Sequence, residues 1–190
     1  EVIGYDVFDM LVNFWEVLLS QPQELSKELS KITPDDNTYK EIKEILMSLD
    51  KTQDMLSDWK TDSYKREDVI SLSDLERASL YYFNHNTSYG PGYLGWGSSV
   101  YLQADKWKQM CKNINNFKCG NLSVKQADYR DVIPNHKKDL LYLDPPYYLK
   151  KDTDNKMFKG IYPMRNIPVH HDGFDHEKLR DMLHNHEGSF

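Results

Sequence analysis

Apolar positions along the chain fall into short runs separated by longer polar stretches. Val2-Ile3-Gly4-Tyr5-Asp6 reads as a strand that ends on an acid. Asp9 can then cap a helix reaching Leu19, with Pro22 just beyond its end. From residue 23 to 72 the pattern is that of polar helices with scattered apolar positions, among them Ile42, Ile45, Leu46 and Leu49. Ser73-Asp74-Leu75-Glu76 has the form of a capping box opening a helix toward Phe83. Periodicity is then lost from Asn84 to Gly97, a stretch of Asn, His, Ser, Tyr and Gly with a single proline. A helix is predicted again from Ala104 to Phe117 and a strand from Leu122 to Gln126. Asp139-Leu140-Leu141-Tyr142-Leu143 has the length and composition of a buried parallel strand. Asp175-His176-Glu177 starts a last helix through about His186. There is no internal repeat.

Strands alternating with helices indicate an open α/β sheet, interrupted by roughly 90 residues that add little to it. The 190 residues (22.4 kDa) suffice for one domain, or one domain with an insertion. Hydrophobic content of 39% and a mean hydropathy of −0.75 describe a polar chain. Four Trp, 13 Tyr and seven Phe can still supply a core. No apolar run approaches the roughly 20 residues of a membrane span, and none has the pattern of a signal peptide. Cys111 and Cys119 make neither a disulfide framework nor a metal site; free thiols in a reducing cytoplasm are expected.

The most informative residues follow the third candidate strand: Asp144-Pro145-Pro146-Tyr147. Open α/β sheets hold their ligands at the carboxyl ends of their strands. An acid, two rigid prolines and an aromatic there suit methylation of an exocyclic amino group on a nucleobase. The lone pair of such an amine is delocalised into the ring, so the nitrogen is a poor nucleophile. A carboxylate at Asp144 can accept one N–H, and a fixed backbone carbonyl can accept the other. Proline holds φ near −65° and restricts its predecessor, so the pair aims the Pro145 carbonyl. Tyr147 offers a flat face for an extruded base, and stacking offsets part of the cost of flipping. Proximity and electrostatic aiming would supply the rate, with no metal required. The alternative reading is a turn after a strand, which Asp-Pro and Pro-Pro pairs also mark.

The tetrad resembles the catalytic motif of the amino-methylating DNA methyltransferases, with Asp rather than Asn or Ser in first place. More narrowly, the chain resembles the Dam-type adenine-N6 DNA methyltransferases. Three stretches carry the likeness in that family's order: Val2 to Asp6 with Asn13 following; Glu76-Arg77-Ala78-Ser79-Leu80-Tyr81-Tyr82-Phe83-Asn84; and Val124-Lys125-Gln126-Ala127-Asp128-Tyr129 followed by the tetrad. The resemblance implies a Rossmann-like methyltransferase sheet, incomplete at both ends, with a mostly helical target-recognition insertion. Residues 1–19 and 110–190 would form the catalytic domain and residues 20–109 the insertion. It implies S-adenosylmethionine as methyl donor. Asp6 matches the acid that takes the ribose hydroxyls, and Asp128, with Tyr129 beside it, the acid that reads the donor's adenine amino group. Asp144 would face both donor and base. A lone acid after a strand can also be a helix cap or turn residue.

The family's glycine-rich donor loop should lie before Asp6 and is not in the chain. Gly188-Ser189-Phe190 stand where a further strand should begin. The chain is therefore read as an internal piece of a longer protein.

Duplex DNA is the implied partner, although the net charge of −6 has the wrong sign for a general nucleic-acid coat. Residues 148 to 165 provide a local exception. Lys150, Lys151, Lys156, Lys159 and Arg165 against Asp152 and Asp154 give 5 − 2 = +3. Lys150 and Lys151 are candidate phosphate contacts, against the reading of a solvated loop. Asn84 to Trp107 resembles the recognition hairpin of the insertion. Tyr89, Tyr93 and Trp96 could wedge into the base stack, while Ser98 and Ser99 could bond phosphate or base edges. For any single one of these, packing is the favoured reading over base contact. No Arg or Lys lies within Asn84 to Ala104, so the commonest guanine contact is missing and the target sequence stays open.

Gly90-Pro91-Gly92-Tyr93-Leu94-Gly95 matches a dinucleotide fingerprint only literally, since it follows no strand and opens no helix. His170, His171, His176, His184 and His186 match no standard zinc spacing, and no metal is expected. A monomeric cytoplasmic enzyme is expected, serving restriction–modification, viral protection, or replication and repair marking. Cytosine N4 or RNA as acceptor, and an inactive DNA-binding remnant, are the alternatives.

Overall fold

The computed structural model describes residues 1–49, 72–89, 92–145 and 174–190. Two parallel strands, β1 (Val2–Asp6) and β2 (Leu122–Gln126), form its sheet, in the register Val2↔Leu122, Gly4↔Val124 and Asp6↔Gln126. A parallel pair requires a long crossover. Here it is made by α1 (Asp9–Ser20), α2 (Pro22–Leu29), α3 (Asp36–Leu49), α4 (Asp74–Thr87) and α5 (Ala104–Asn115). After β2 come the single turn α6 (Tyr129–Val132), a 3-10 turn over Ile133–Asn135 and, later, α7 (His176–His184).

Helix α4 is the hub of the core. The capping box read from the sequence starts it: Ser73 Oγ accepts from Glu76 N at 3.3 Å, and Glu76 Oε2 accepts from Ser73 N at 2.9 Å. It continues past Phe83 to Thr87, because its last turn is itself buried. Asn84 and Thr87 are inaccessible, and Thr87 Oγ1 donates to Phe83 O at 2.7 Å. Phe83 packs edge-on to Trp107 at 4.9 Å, and Trp107 Nε1 donates to Leu29 O at 3.2 Å. Phe14 stacks on Tyr82 at 5.3 Å, bringing α1 onto the same helix. One apolar core thus takes Met10, Phe14 and Val17 from α1, Leu25 and Leu29 from α2, Leu46 from α3, and Cys111 and Ile114 from α5.

Asp9 does not cap α1. Phe8 occupies the cap position, and Asp9 is the first helical residue, pairing with Arg77 of α4 at 3.0 Å. The carboxylate that holds this turn is Asp6, whose Oδ1 accepts from Phe8 N at 2.7 Å.

The expected strand over residues 139–143 is absent from the described sheet. Leu140 and Tyr142 are 79% and 93% exposed. A run apolar on both faces is a strand only when layers cover both faces. Among the described residues this stretch has a single flanking segment. Leu141 N donates to Ser189 O at 2.8 Å, and Glu187 N to Lys137 O at 2.8 Å. Gly188 permits that approach, since a Cβ there would collide with the Asp139 carbonyl oxygen.

His85, in the last turn of α4, sits 5.7 Å from the Tyr81 ring, and burial lowers its pKa below the usual 6.5. The unfolded chain takes up this proton first as pH falls. The contribution to stability is therefore complete above about pH 6.5 and lost on acidification through the lowered folded value. The melting temperature of the wild type should fall as the pH drops below about 6.5, and that of His85→Gln should fall less steeply. Parallel curves would exclude His85 as the cause.

Candidate functional site

The parallel register brings the carboxyl ends of β1 and β2 side by side. Asp6 pairs with Gln126, Ala127 N donates to Asp6 O at 3.0 Å, and Gln126 Nε2 donates to Val7 O at 3.1 Å. β1 ends on Asp6, and Asp128 follows β2 by two residues and caps α6, so both acids lie at the carboxyl end of the sheet. Asp6 is half-buried, and its charge, together with burial as the larger cause, pushes the Tyr81 phenol well above its usual range.

Asp128 caps α6 through a 2.8 Å bond from Arg130 N to Oδ1. The Arg130 side chain also grips it, with Nε on Oδ1 and a terminal guanidinium nitrogen on Oδ2, both at 2.8 Å. That bond from the guanidinium, followed by the backbone bond, lowers the Asp128 pKa. The Tyr129 ring lies 4.9 Å from Phe174, and its hydroxyl donates to Asp175 O at 3.0 Å. Asp175 in turn caps α7, accepting from Lys178 N at 2.8 Å.

A hydrogen-bonded chain ties β1 to the stretch leading into the tetrad. Tyr5 Oη lies 3.0 Å from His136 Nε2, and His136 Nδ1 lies 2.8 Å from Asp139 Oδ2. A neutral imidazole protonated at Nδ1 satisfies both partners, donating to Asp139 and accepting from Tyr5. Five residues further on, Asp144 is exposed and Pro145 half-buried. Pro146, Tyr147, Lys150 and Lys151 lie outside the described residues, as do the other basic residues of 148–165 and His170 and His171.

The polar loop after α4 divides the candidate DNA contacts. Ser88 and Gly97 form an antiparallel bridge, and Tyr89 N donates to Trp96 O at 2.6 Å. Tyr89 and Trp96 stand 80% and 76% exposed at this hairpin neck. Tyr93 and Ser98 do not share that position, with exposures of only 6% and 4%. Tyr93 packs 5.0 Å from Phe8 and 5.6 Å from Tyr81, and Ser98 N donates to Thr87 O at 2.9 Å. Both are packing residues here, and Ser99 alone of the serine pair is exposed.

Two features hold the loop. Asn84 Oδ1 accepts from Leu94 N at 2.7 Å, fixing Leu94 at a φ of 55° that side chains beyond glycine rarely adopt. Gly97 approaches Tyr39 so closely that a Cβ would lie 3.0 Å from its ring.

Three groups escape a reading of the sequence. Lys43 of α3 sends Nζ to Gly95 O at 2.9 Å, placing a cation at a loop that has none of its own. The Tyr5–His136–Asp139 chain links residues far apart in sequence and has no local signal. Arg130 did have one, since an Asp two residues before an Arg at a helix start can form this fork. Among the described residues no three His, Cys, Asp or Glu side chains gather as metal ligands, and no helix is long and apolar enough to cross a membrane.

A family model described as D12 class N6 adenine-specific DNA methyltransferase matches residues 1–190, the whole chain. Searches among curated proteins and among solved structures returned no significant match.

Proposed function

The chain belongs to the D12 class of N6 adenine-specific DNA methyltransferases, and from that membership we propose how its residues serve the reaction. Its activity is methylation of adenine N6 in DNA, which sets aside cytosine N4 and RNA as acceptors. The methyl donor is S-adenosylmethionine, and the observation that carries this reading is the parallel register that puts Asp6 and Asp128 at the same, carboxyl end of the sheet. A ribose diol and an adenine amino group are both hydrogen-bond donors, so a carboxylate beyond each strand is the acceptor each needs. Asp6 takes the ribose hydroxyls and Asp128 the amino group, with Tyr129 beside it. When bound, the donor supplies an electrophilic methyl group.

The acceptor adenine is flipped from duplex DNA, and Tyr147 stacks on it. Asp144 and the Pro145 carbonyl each accept one N6 hydrogen, so that the nitrogen lone pair is directed at the methyl. Pro146 keeps that carbonyl fixed. Asp144 then stabilises the positively charged nitrogen, whose surplus proton passes to solvent beside this exposed carboxylate. Residues 20–109 act as target-recognition insertion on a monomeric cytoplasmic enzyme, with Ser99, Lys150 and Lys151 on the DNA backbone.

Binding of S-adenosylhomocysteine by calorimetry tests the donor assignment. Hydrogen bonds to a charged group contribute about 1.5–3 kcal/mol each, so Asp6→Ala and Asp128→Ala should each weaken binding roughly tenfold to a hundredfold. Unchanged affinity in either variant would remove that acid from the donor site.

Tyr89 and Trp96 serve as the wedge of the recognition loop. Stacking on a base contributes about 1–3 kcal/mol, so Trp96→Ala should weaken duplex binding roughly tenfold. Its melting temperature should stay unchanged, because the ring is exposed. Equal DNA affinity by fluorescence anisotropy would assign the loop another role.

A further inference from the structure

We propose that Arg130 acts as an intramolecular competitor for the donor site, occupying the Asp128 carboxylate until the donor's adenine amino group displaces it. This rests on the reading of Asp128 as the acid that receives that amino group. The geometry is specific. Arg130 presents Nε to Oδ1 and a terminal nitrogen to Oδ2, both at 2.8 Å, which is the fork arrangement that fills both inward-facing lone pairs of a carboxylate. The Arg130 backbone N–H takes a further position on Oδ1. An incoming amino group therefore meets an acid whose best acceptor directions are already used.

The two kinds of bond are separable. The backbone bond needs no side chain and keeps Asp128 oriented as the cap of α6. The guanidinium is on the outside of the molecule: its side chain is 59% exposed, against 26% for that of Asp128. It can swing into water without unfolding anything, and its charge remains solvated when it does. An exposed pair of this kind is weak, so the competitor tunes affinity rather than blocking the site. Arg130 thus lowers donor and product affinity together, which favours release of the spent donor.

The test uses the full reading frame and S-adenosylhomocysteine as probe, measured by calorimetry at low and high salt. Arg130→Met removes the fork and keeps the backbone cap. It should bind the probe roughly twofold to fivefold more tightly than the wild type at low salt. Salt screens an exposed ion pair, so this advantage should shrink as salt is raised. Melting temperatures should match. Equal or weaker binding by Arg130→Met at low salt overturns the proposal, as does an advantage that does not respond to salt. Asp128→Asn separates the two readings. If it binds as well as the wild type, Asp128 is not a donor ligand and both fail; if it binds weakly while Arg130→Met changes nothing, only the competitor fails.

Discussion

Asp144→Ala should lower the single-turnover rate of methyl transfer by about a thousandfold or more, the scale of losing a positioned group that acts on the reacting atom. In the proposed mechanism its carboxylate accepts one hydrogen from N6. The residue is exposed and lies outside the described sheet, so its loss should leave the unfolding transition where it was. Asp144→Asn is the more exacting variant. It keeps the size and one acceptor oxygen but loses the charge proposed to stabilise the proton-bearing nitrogen, and should retain a small residual rate above that of alanine. Most of the wild-type rate surviving in Asp144→Ala, with folding intact, would show that the chemistry is centred elsewhere.

Phe83→Ala should destabilise the fold by about 3–5 kcal/mol, enough to remove a large share of a typical domain's stability. Phe83 is fully buried in the C-terminal half of α4, with Trp107 edge-on at 4.9 Å and Tyr39 at 6.3 Å. Truncation leaves a cavity that α2, α3 and α5 cannot all close onto at once, because each also packs against its neighbours. Urea unfolding followed by tryptophan fluorescence reads the change. A shift below about 1 kcal/mol would mean that the helices repack freely, contrary to the close contacts around Trp107.

The portions legible in sequence were those set by local chemistry. The strand at Val2–Asp6, the end of α1 just before Pro22, the capping box at Ser73 and the strand at Leu122–Gln126 each carry their signal within a few residues. Asp6 and Asp128 could be placed at strand ends for the same reason. That both lie at one end of the sheet is a non-local fact, created by a parallel register that no local pattern specifies.

The loop after α4 shows the limit most clearly. Tyr89, Tyr93 and Trp96 look alike in a polar sequence, yet the Asn84 bond to Leu94 N turns Tyr93 inward while the Ser88–Gly97 bridge leaves the other two outside. The run at 139–143 misled in the opposite direction. Its composition is that of a buried strand, but burial depends on neighbouring layers, and the described residues provide only the segment near Ser189. The Asp9 expectation failed for a smaller reason: Arg77, distant in sequence, pairs with it, and Asp6 already serves the turn.

The most direct test is mass spectrometry of nucleosides from the DNA of a methylation-deficient host expressing the full reading frame. The account predicts N6-methyladenine that disappears with Asp144→Ala while the variant protein remains soluble. N4-methylcytosine in its place, or no modified base in the presence of soluble wild-type protein, would contradict it.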